Sequence, residues 1–262
     1  MRFRTKLVIG VVALSIFPAT AHASSVLFSD DFSSYGRDSV IASEYSFQNG
    51  ISGSSPWIST SGCLFERDGR SATGWVGDPR SLSGDADPTC DLNGSTVFRL
   101  ITKRTDFRNE SVSFQLFLRT NTATGAPFLA TDATPALPWD GVKIFLRYQD
   151  STHLYYASVA RRDGAVVLKK KCPGGADAGG TYYDIGNEVP GHRLPSDQWQ
   201  AVRATARNVG DGVQLSLSLN GTTIVTATDD GVGCAPIREP GRTGIRGDNV
   251  NFQFDDFVVT DG

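Results

Sequence analysis

Between Trp139 and Lys171 the sequence WDGVKIFLRYQDSTHLYYASVARRDGAVVLKKK alternates apolar and polar residues with a period of two. Val142, Ile144, Leu146 and Tyr148 fall on one parity, and Lys143, Phe145 and Arg147 on the other. A period of two belongs to a β-strand, in which successive side chains point to opposite faces. The polar turns QDST and RDG cut the stretch into three consecutive strands. One face then packs on a core, while the open face carries Lys143, Phe145 and Arg147. An aromatic platform set between cations differs from an ordinary solvated face and is a candidate glycan-binding surface.

The rest of the chain follows the same rule. Apolar runs are short, β-branched and aromatic, turn signals separate them, and no segment has a helical period. Strands are expected at 26–28, 96–102, 111–119, 142–148, 153–160, 165–171, 200–207, 214–219, 222–228, 242–246 and 251–259. Asn220-Gly221 between two such runs is a hairpin signal, because both residues tolerate positive φ. Eleven runs in one chain predict two packed antiparallel sheets in a single all-β sandwich domain. The stretches 50–94, 120–138 and 173–195 are expected to be loops, with Trp57, Trp75 and Trp139 in or beside them as sugar-stacking platforms or core anchors.

The first 23 residues have the layout of an export leader. Arg2, Arg4 and Lys6 precede an apolar run from Leu7 to Phe17, and Ala21-His22-Ala23 fits a cleavage pattern, so the folded domain is expected over 24–262 of a secreted protein. No later run is long and apolar enough to span a membrane, and a monomer is expected. In an oxidising compartment the four cysteines are expected to form two disulfides, with Cys63–Cys90 and Cys172–Cys234 the favoured pairing of three. The chain has 25 Lys and Arg against 28 Asp and Glu, and loss of the leader removes three cations. So acidic a protein is a poor partner for nucleic acid, whose phosphates require clustered cations. A local basic patch is nonetheless expected around Arg161, Arg162, Lys169, Lys170 and Lys171.

Taken together, LFSDDFSSY after the leader, the YYASVARRDG hairpin, the strand at Trp199 and the closing GIRGDNVNFQFDDFVV resemble the concanavalin A-like lectin and glucanase superfamily. The resemblance implies a jelly roll whose ligand lies on the concave sheet. It also implies a structural calcium where the first and last strands meet, for which Asp30, Asp31, Asp255 and Asp256 are the candidate ligands; calcium takes six to eight oxygens. The glucanases of that group carry an E-x-D-x-x-E strand, which is absent here. In the acidic pair Asp255-Asp256, adjacent carboxylates face opposite ways, whereas a retaining hydrolase needs two about 5 Å apart on one face.

β-Elimination from a uronic acid has different requirements: a cation to neutralise the sugar carboxylate, a base and an acid. His153, Tyr155 and Tyr156 are the candidate proton-transfer residues. Gln115 and Arg119, on a strand taken to neighbour that of Lys143, Phe145 and Arg147, complete a basic floor. The Q-I-H strand of the lyases in this superfamily is absent. Two readings follow: a lyase acting on an acidic polysaccharide, or a lectin-like protein presenting the same face for binding alone.

Overall fold

The computed structural model describes residues 24–37, 39–43, 55–73, 97–120, 125–128 and 137–262, and the expected leader and Trp75 lie outside them. Within these residues the chain is built from strands alone, in two antiparallel sheets. The nine-stranded sheet contains β1 (Val26–Asp30), β2 (Val40–Ala42), β4 (Leu64–Arg67), β5 (Arg70–Thr73), β7 (Glu110–Leu118), β12 (Trp199–Val209), β13 (Gly212–Leu219), β14 (Thr222–Asp229) and β16 (Phe252–Asp261). Its order is β14-β13-β12-β7-β16-β5-β4-β2, with β1 also paired to β16. The seven-stranded sheet runs β11 (Gly180–Asp184), β10 (Val167–Asp177), β9 (His153–Val159), β8 (Gly141–Asp150), β15 (Arg242–Asp248), β6 (Val97–Thr102) and β3 (Trp57–Ser61).

Every strand expected from the sequence is present. The additional ones are β2, and β3 to β5 and β11 within stretches expected to be loops. The hairpins β8–β9, β9–β10 and β13–β14 form as the turn signals predict.

Facing residues of the two sheets fill the interior: Val112, Phe114 and Leu116 of β7 and Val202, Ala204 and Ala206 of β12 pack toward Val142, Ile144 and Leu146 of β8 and Tyr155, Ala157 and Val159 of β9. Each large apolar side chain so buried contributes about 1.5–3 kcal/mol. At the end where β1 meets β16 the filling is aromatic. Trp57 and Phe257 meet edge to face at 5.0 Å between ring centroids, and Phe114 stacks on Phe257 at 5.8 Å. Trp57, only 1% exposed, is therefore a core anchor; its indole Nε1 donates to Asp30 Oδ2 at 2.7 Å.

The regular alternation of β8 breaks at Arg147, which has φ 47°. Pairing slips there on both sides, between Leu146 and Asp150 toward β9 and between Arg242 and Gly244 toward β15. The bulge turns Arg147 inward, where it is fully buried, and places Tyr148 on the outer face with Phe145. This corrects the expectation that Arg147 lies on the open face and Tyr148 in the core. A bulge inserts one residue, and one residue exchanges the faces of everything beyond it.

Inside, the Arg147 guanidinium donates to Asn208 Oδ1 at 2.5 Å and to the Ile237 carbonyl at 2.8 Å, and the Arg147 backbone N–H donates to Glu110 Oε1 at 2.7 Å. A second polar knot sits beneath β10. Lys170 and Asp229 are both fully buried and ion-paired at 2.7 Å, and the Tyr155 hydroxyl donates to the same carboxylate at 2.5 Å. Beside it the Cys172–Cys234 disulfide joins β10 to the loop after β14. Cys63 is also disulfide-bonded, and its expected partner Cys90 lies outside the described residues.

Candidate cleft on the seven-stranded sheet

The outer face of the seven-stranded sheet carries a second, smaller apolar cluster: Ile101, Phe145, Tyr148, Leu154, Tyr156 and Val167, with Ile58 and Tyr182 packed against it. Apart from Tyr148, which the bulge brings to this face, these are the residues of opposite parity to the core set, so the sheet is apolar on both sides in its middle. Phe145 and Tyr148 lie 5.4 Å apart between centroids, and Tyr156 meets Tyr182 edge to face at 5.7 Å. Tyr156 is thus the tyrosine of the YY pair that faces outward, and Tyr155 belongs to the core.

Across this aromatic floor runs a row of cations fixed by strand register. Arg246 of β15 lies directly opposite Arg99 of β6 on one side and Lys143 of β8 on the other. Like charges directly opposite one another in a sheet are destabilising, by something on the order of 0.2–1 kcal/mol per pair. Among the described residues a single carboxylate, Asp248, forms ion pairs with the row. It accepts from Arg246 Nε at 2.7 Å and forms a short ion pair with Lys143 Nζ. Burial pushes the Asp248 carboxyl up, but Lys143 and Arg246 outweigh it and hold the group below the usual carboxylate range. Burial lowers the Lys143 ammonium, with Asp248 opposing. Arg99 makes no ion pair among the described residues. Burial, then the charge of Arg246, lowers its guanidinium, and the Lys171 ammonium is lowered by burial and then by Arg246 and Arg99.

These groups line two adjoining compartments. One, of about 340 Å³, is bounded by Arg99, Phe145, Tyr148, Leu154 and Lys171. The other, of about 260 Å³, is bounded by Lys143, Tyr156, Ser158, Arg161, Lys169, Glu188 and Asp248. Trp139, Asp177, Tyr182 and Arg246 border both. Trp139 is 53% exposed, unlike the buried Trp57, and stands at the rim as an open aromatic surface.

Of the residues expected at the site, Lys143, Phe145 and Tyr156 meet here. The others lie elsewhere. Gln115 and Arg119 belong to β7 and its end, and β7 pairs with β12 and β16 in the other sheet. The expected order of strands therefore does not hold, and Gln115 lines a shallow groove on the outer face of the nine-stranded sheet with Ser113, Arg203 and Thr223. Arg147 and Tyr155 are interior. His153 opens β9 opposite Asp150, at the end of the sheet and on the parity of Tyr155. Of the basic patch, Lys170 is buried in the core, while Arg161, Lys169 and Lys171 reach the cleft. Arg99, Arg246 and Tyr182 are the cleft residues that the sequence analysis missed. Arg246 and Arg99 each stand one residue from a core Ile or Leu in an alternating run, which was the available signal.

Of the four aspartates at the chain ends, Asp31, Asp255 and Asp256 lie near enough to interact electrostatically, and protein donors engage Asp30 and Asp255. Asp30 accepts from the Phe32 amide, the Tyr35 hydroxyl and the Trp57 indole, and Asp255 pairs with Arg70 at 3.2 Å. Among the described residues no group of three or more His, Cys, Asp or Glu side chains is placed to hold a metal ion.

Chemically, the cleft can seat a ring on an apolar floor and donate hydrogen bonds to an anion. Three carboxylates, Asp177, Glu188 and Asp248, line it, and the buried one, Asp248, is engaged by two cations. Its tyrosines are held protonated, since burial raises the phenols of Tyr148, Tyr156 and Tyr182 above their ordinary value.

No family model matches the chain, and no curated protein matches it in sequence. Solved structures do match in shape. A Bacillus subtilis protein of unknown function with a galectin-like fold superimposes with a TM-score of 0.56 at 13% identity, covering 91% of this chain and 98% of that one. An endo-1,3-β-glucanase from Streptomyces sioyaensis gives 0.53 at 14% identity over 93% and 98%. The carbohydrate recognition domain of Emp46p gives 0.52 at 11% identity over 92% and 99%. With this sheet order, this core and these likenesses, the chain folds as a concanavalin A-like jelly roll.

Proposed function

We propose that this is an exported carbohydrate-binding protein whose cleft on the seven-stranded sheet takes an acidic polysaccharide. The observation that carries the reading is the cross-strand row Arg99–Arg246–Lys143, three cations in register with one carboxylate between them. An arrangement that costs the free protein stability is repaid when an anion occupies it. The aromatic floor and Trp139 supply the surface that complements the C–H face of a sugar ring. Two of the similar structures, a glucanase and a carbohydrate recognition domain, support a glycan as the ligand class, and the Cys172–Cys234 disulfide supports an oxidising compartment.

Binding is favoured over β-elimination because elimination needs a base near neutral pH. Here His153 lies at the sheet end, and the cleft phenols are pushed toward the protonated form. The test is retention of the purified protein on immobilised polyuronate and on a neutral glucan, with ultraviolet absorbance of the eluate monitored for unsaturated sugars. Retention on polyuronate without an unsaturated product is expected. Accumulating product would establish the lyase reading instead, and equal retention on both gels would remove the acidic ligand. Trp139→Ala should weaken retention about fivefold, or ~1 kcal/mol, without altering the fold.

A further inference from the structure

The two compartments of the cleft have opposite charge economies. In the first, Arg99 makes no ion pair among the described residues, and Lys171 Nζ is held by the Ser151 carbonyl at 2.8 Å and the Tyr182 ring at 5.0 Å rather than by a carboxylate. Arg246, paired to Asp248 from the neighbouring compartment, adds a third cation, and the lining acid is Asp177, on an exposed hairpin. In the second, every cation has a carboxylate partner: Lys143 and Arg246 share Asp248, Arg161 has Asp163 at 2.5 Å and Glu188 at 3.2 Å, and Lys169 has Asp184 at 2.8 Å.

Resting on the reading of this cleft as a glycan site, we infer that it is built for a polysaccharide in which anionic and neutral sugars alternate. The first compartment seats a carboxylate or sulfate ester on Arg99. The guanidinium fork suits either group, and burial strengthens the attraction. The second compartment has its positive charge already compensated and keeps Glu188 and Asp248 at its wall. A sugar placed there meets hydroxyl-bonding groups, while a second anion would meet these two carboxylates and Asp177. The compartments share Trp139, Asp177, Tyr182 and Arg246, so consecutive units of one chain occupy them together.

The experiment is calorimetric titration with four oligosaccharides of equal length. Hyaluronate carries a carboxylate on alternate residues, a galactan sulfated on alternate residues carries a sulfate ester in the same rhythm, oligogalacturonate is charged on every residue, and laminari-oligosaccharide is neutral. One of the alternating probes is expected to bind at least about tenfold more tightly than oligogalacturonate, and which of the two does so identifies the anion. Arg99→Met should weaken that probe about 10- to 100-fold, with Arg99→Lys intermediate. The thermal midpoint of Arg99→Met should not fall, since the side chain has no ion pair to lose among the described residues. Oligogalacturonate binding as tightly as both alternating probes, or an alternating preference that survives Arg99→Met, would overturn the inference while leaving an acidic-glycan site intact. Failure of every charged probe to bind would instead overturn the site itself.

Discussion

Glu110 and Arg147 are carried together into the interior, each with one polar atom left unbonded: Glu110 Oε2 and Arg147 Nε. Burial pushes the Glu110 carboxyl up to about 8, with the Arg147 amide and charge opposing. A carboxyl whose folded pKa lies above its unfolded value binds more protons in the folded state. Its contribution to stability is therefore fully present below the unfolded value of about 4.5 and is lost as pH rises through about 8. The wild type should lose stability across this window by something on the order of a few kcal/mol relative to Glu110→Gln, whose side chain does not ionise. Urea midpoints of the two proteins measured from mildly acidic to mildly alkaline pH check this; parallel curves would place the Glu110 titration elsewhere. Arg147→Met should enlarge the total loss by extending it to higher pH, because it removes the charge that opposes the shift.

At the scale of elements, the disulfide acts on a loop rather than on the sheets. Cys172 and Cys234 are separated by 62 residues, and the bridge sits beside the buried Lys170–Asp229 pair where the loop after β14 is tied down. Replacing both cysteines by Ala should cost up to about 4 kcal/mol on chain-entropy grounds, seen as a lower denaturant midpoint, with ligand affinity retained because neither cysteine borders the cleft. Strand existence was legible in the sequence wherever alternation ran for six residues or more, as in β7, β8, β9 and β13. The short strands β2 to β5 were not, since three to five residues among Gly and Ser carry too little periodicity. The cleft was half legible. Lys143 and Phe145 follow from the parity of β8, but the bulge at Arg147 reverses that parity and leaves no mark in the residue types. Strand order was not legible either: hairpin turns disclose which neighbours pair locally, whereas the pairing of β7 with β12 and β16 is a long-range choice that took Gln115 and Arg119 to the opposite sheet.

Over the whole molecule the charge is unevenly placed, with an excess of acids in the chain and a row of cations in the cleft. Such a field draws a polyanion toward the cleft and away from the remaining surface. Salt should then act in two directions. Between about 0.01 M and about 1 M, as the screening length falls from roughly 30 to 3 Å, affinity for a polyuronate should drop about tenfold or more, while the unliganded protein gains slightly in thermal stability because repulsion along the row is screened. Paired titrations and melting curves at each salt concentration test both halves; affinity independent of salt would exclude the cationic row as the ligand's anchor. The same row has a consequence for anyone improving the protein. A screen that selects variants for heat resistance alone would favour neutral replacements at Arg99, because removing one of three opposed charges relieves the sheet. The winners of that screen would be enriched in proteins that have lost their ligand, so robustness and recognition must be selected together.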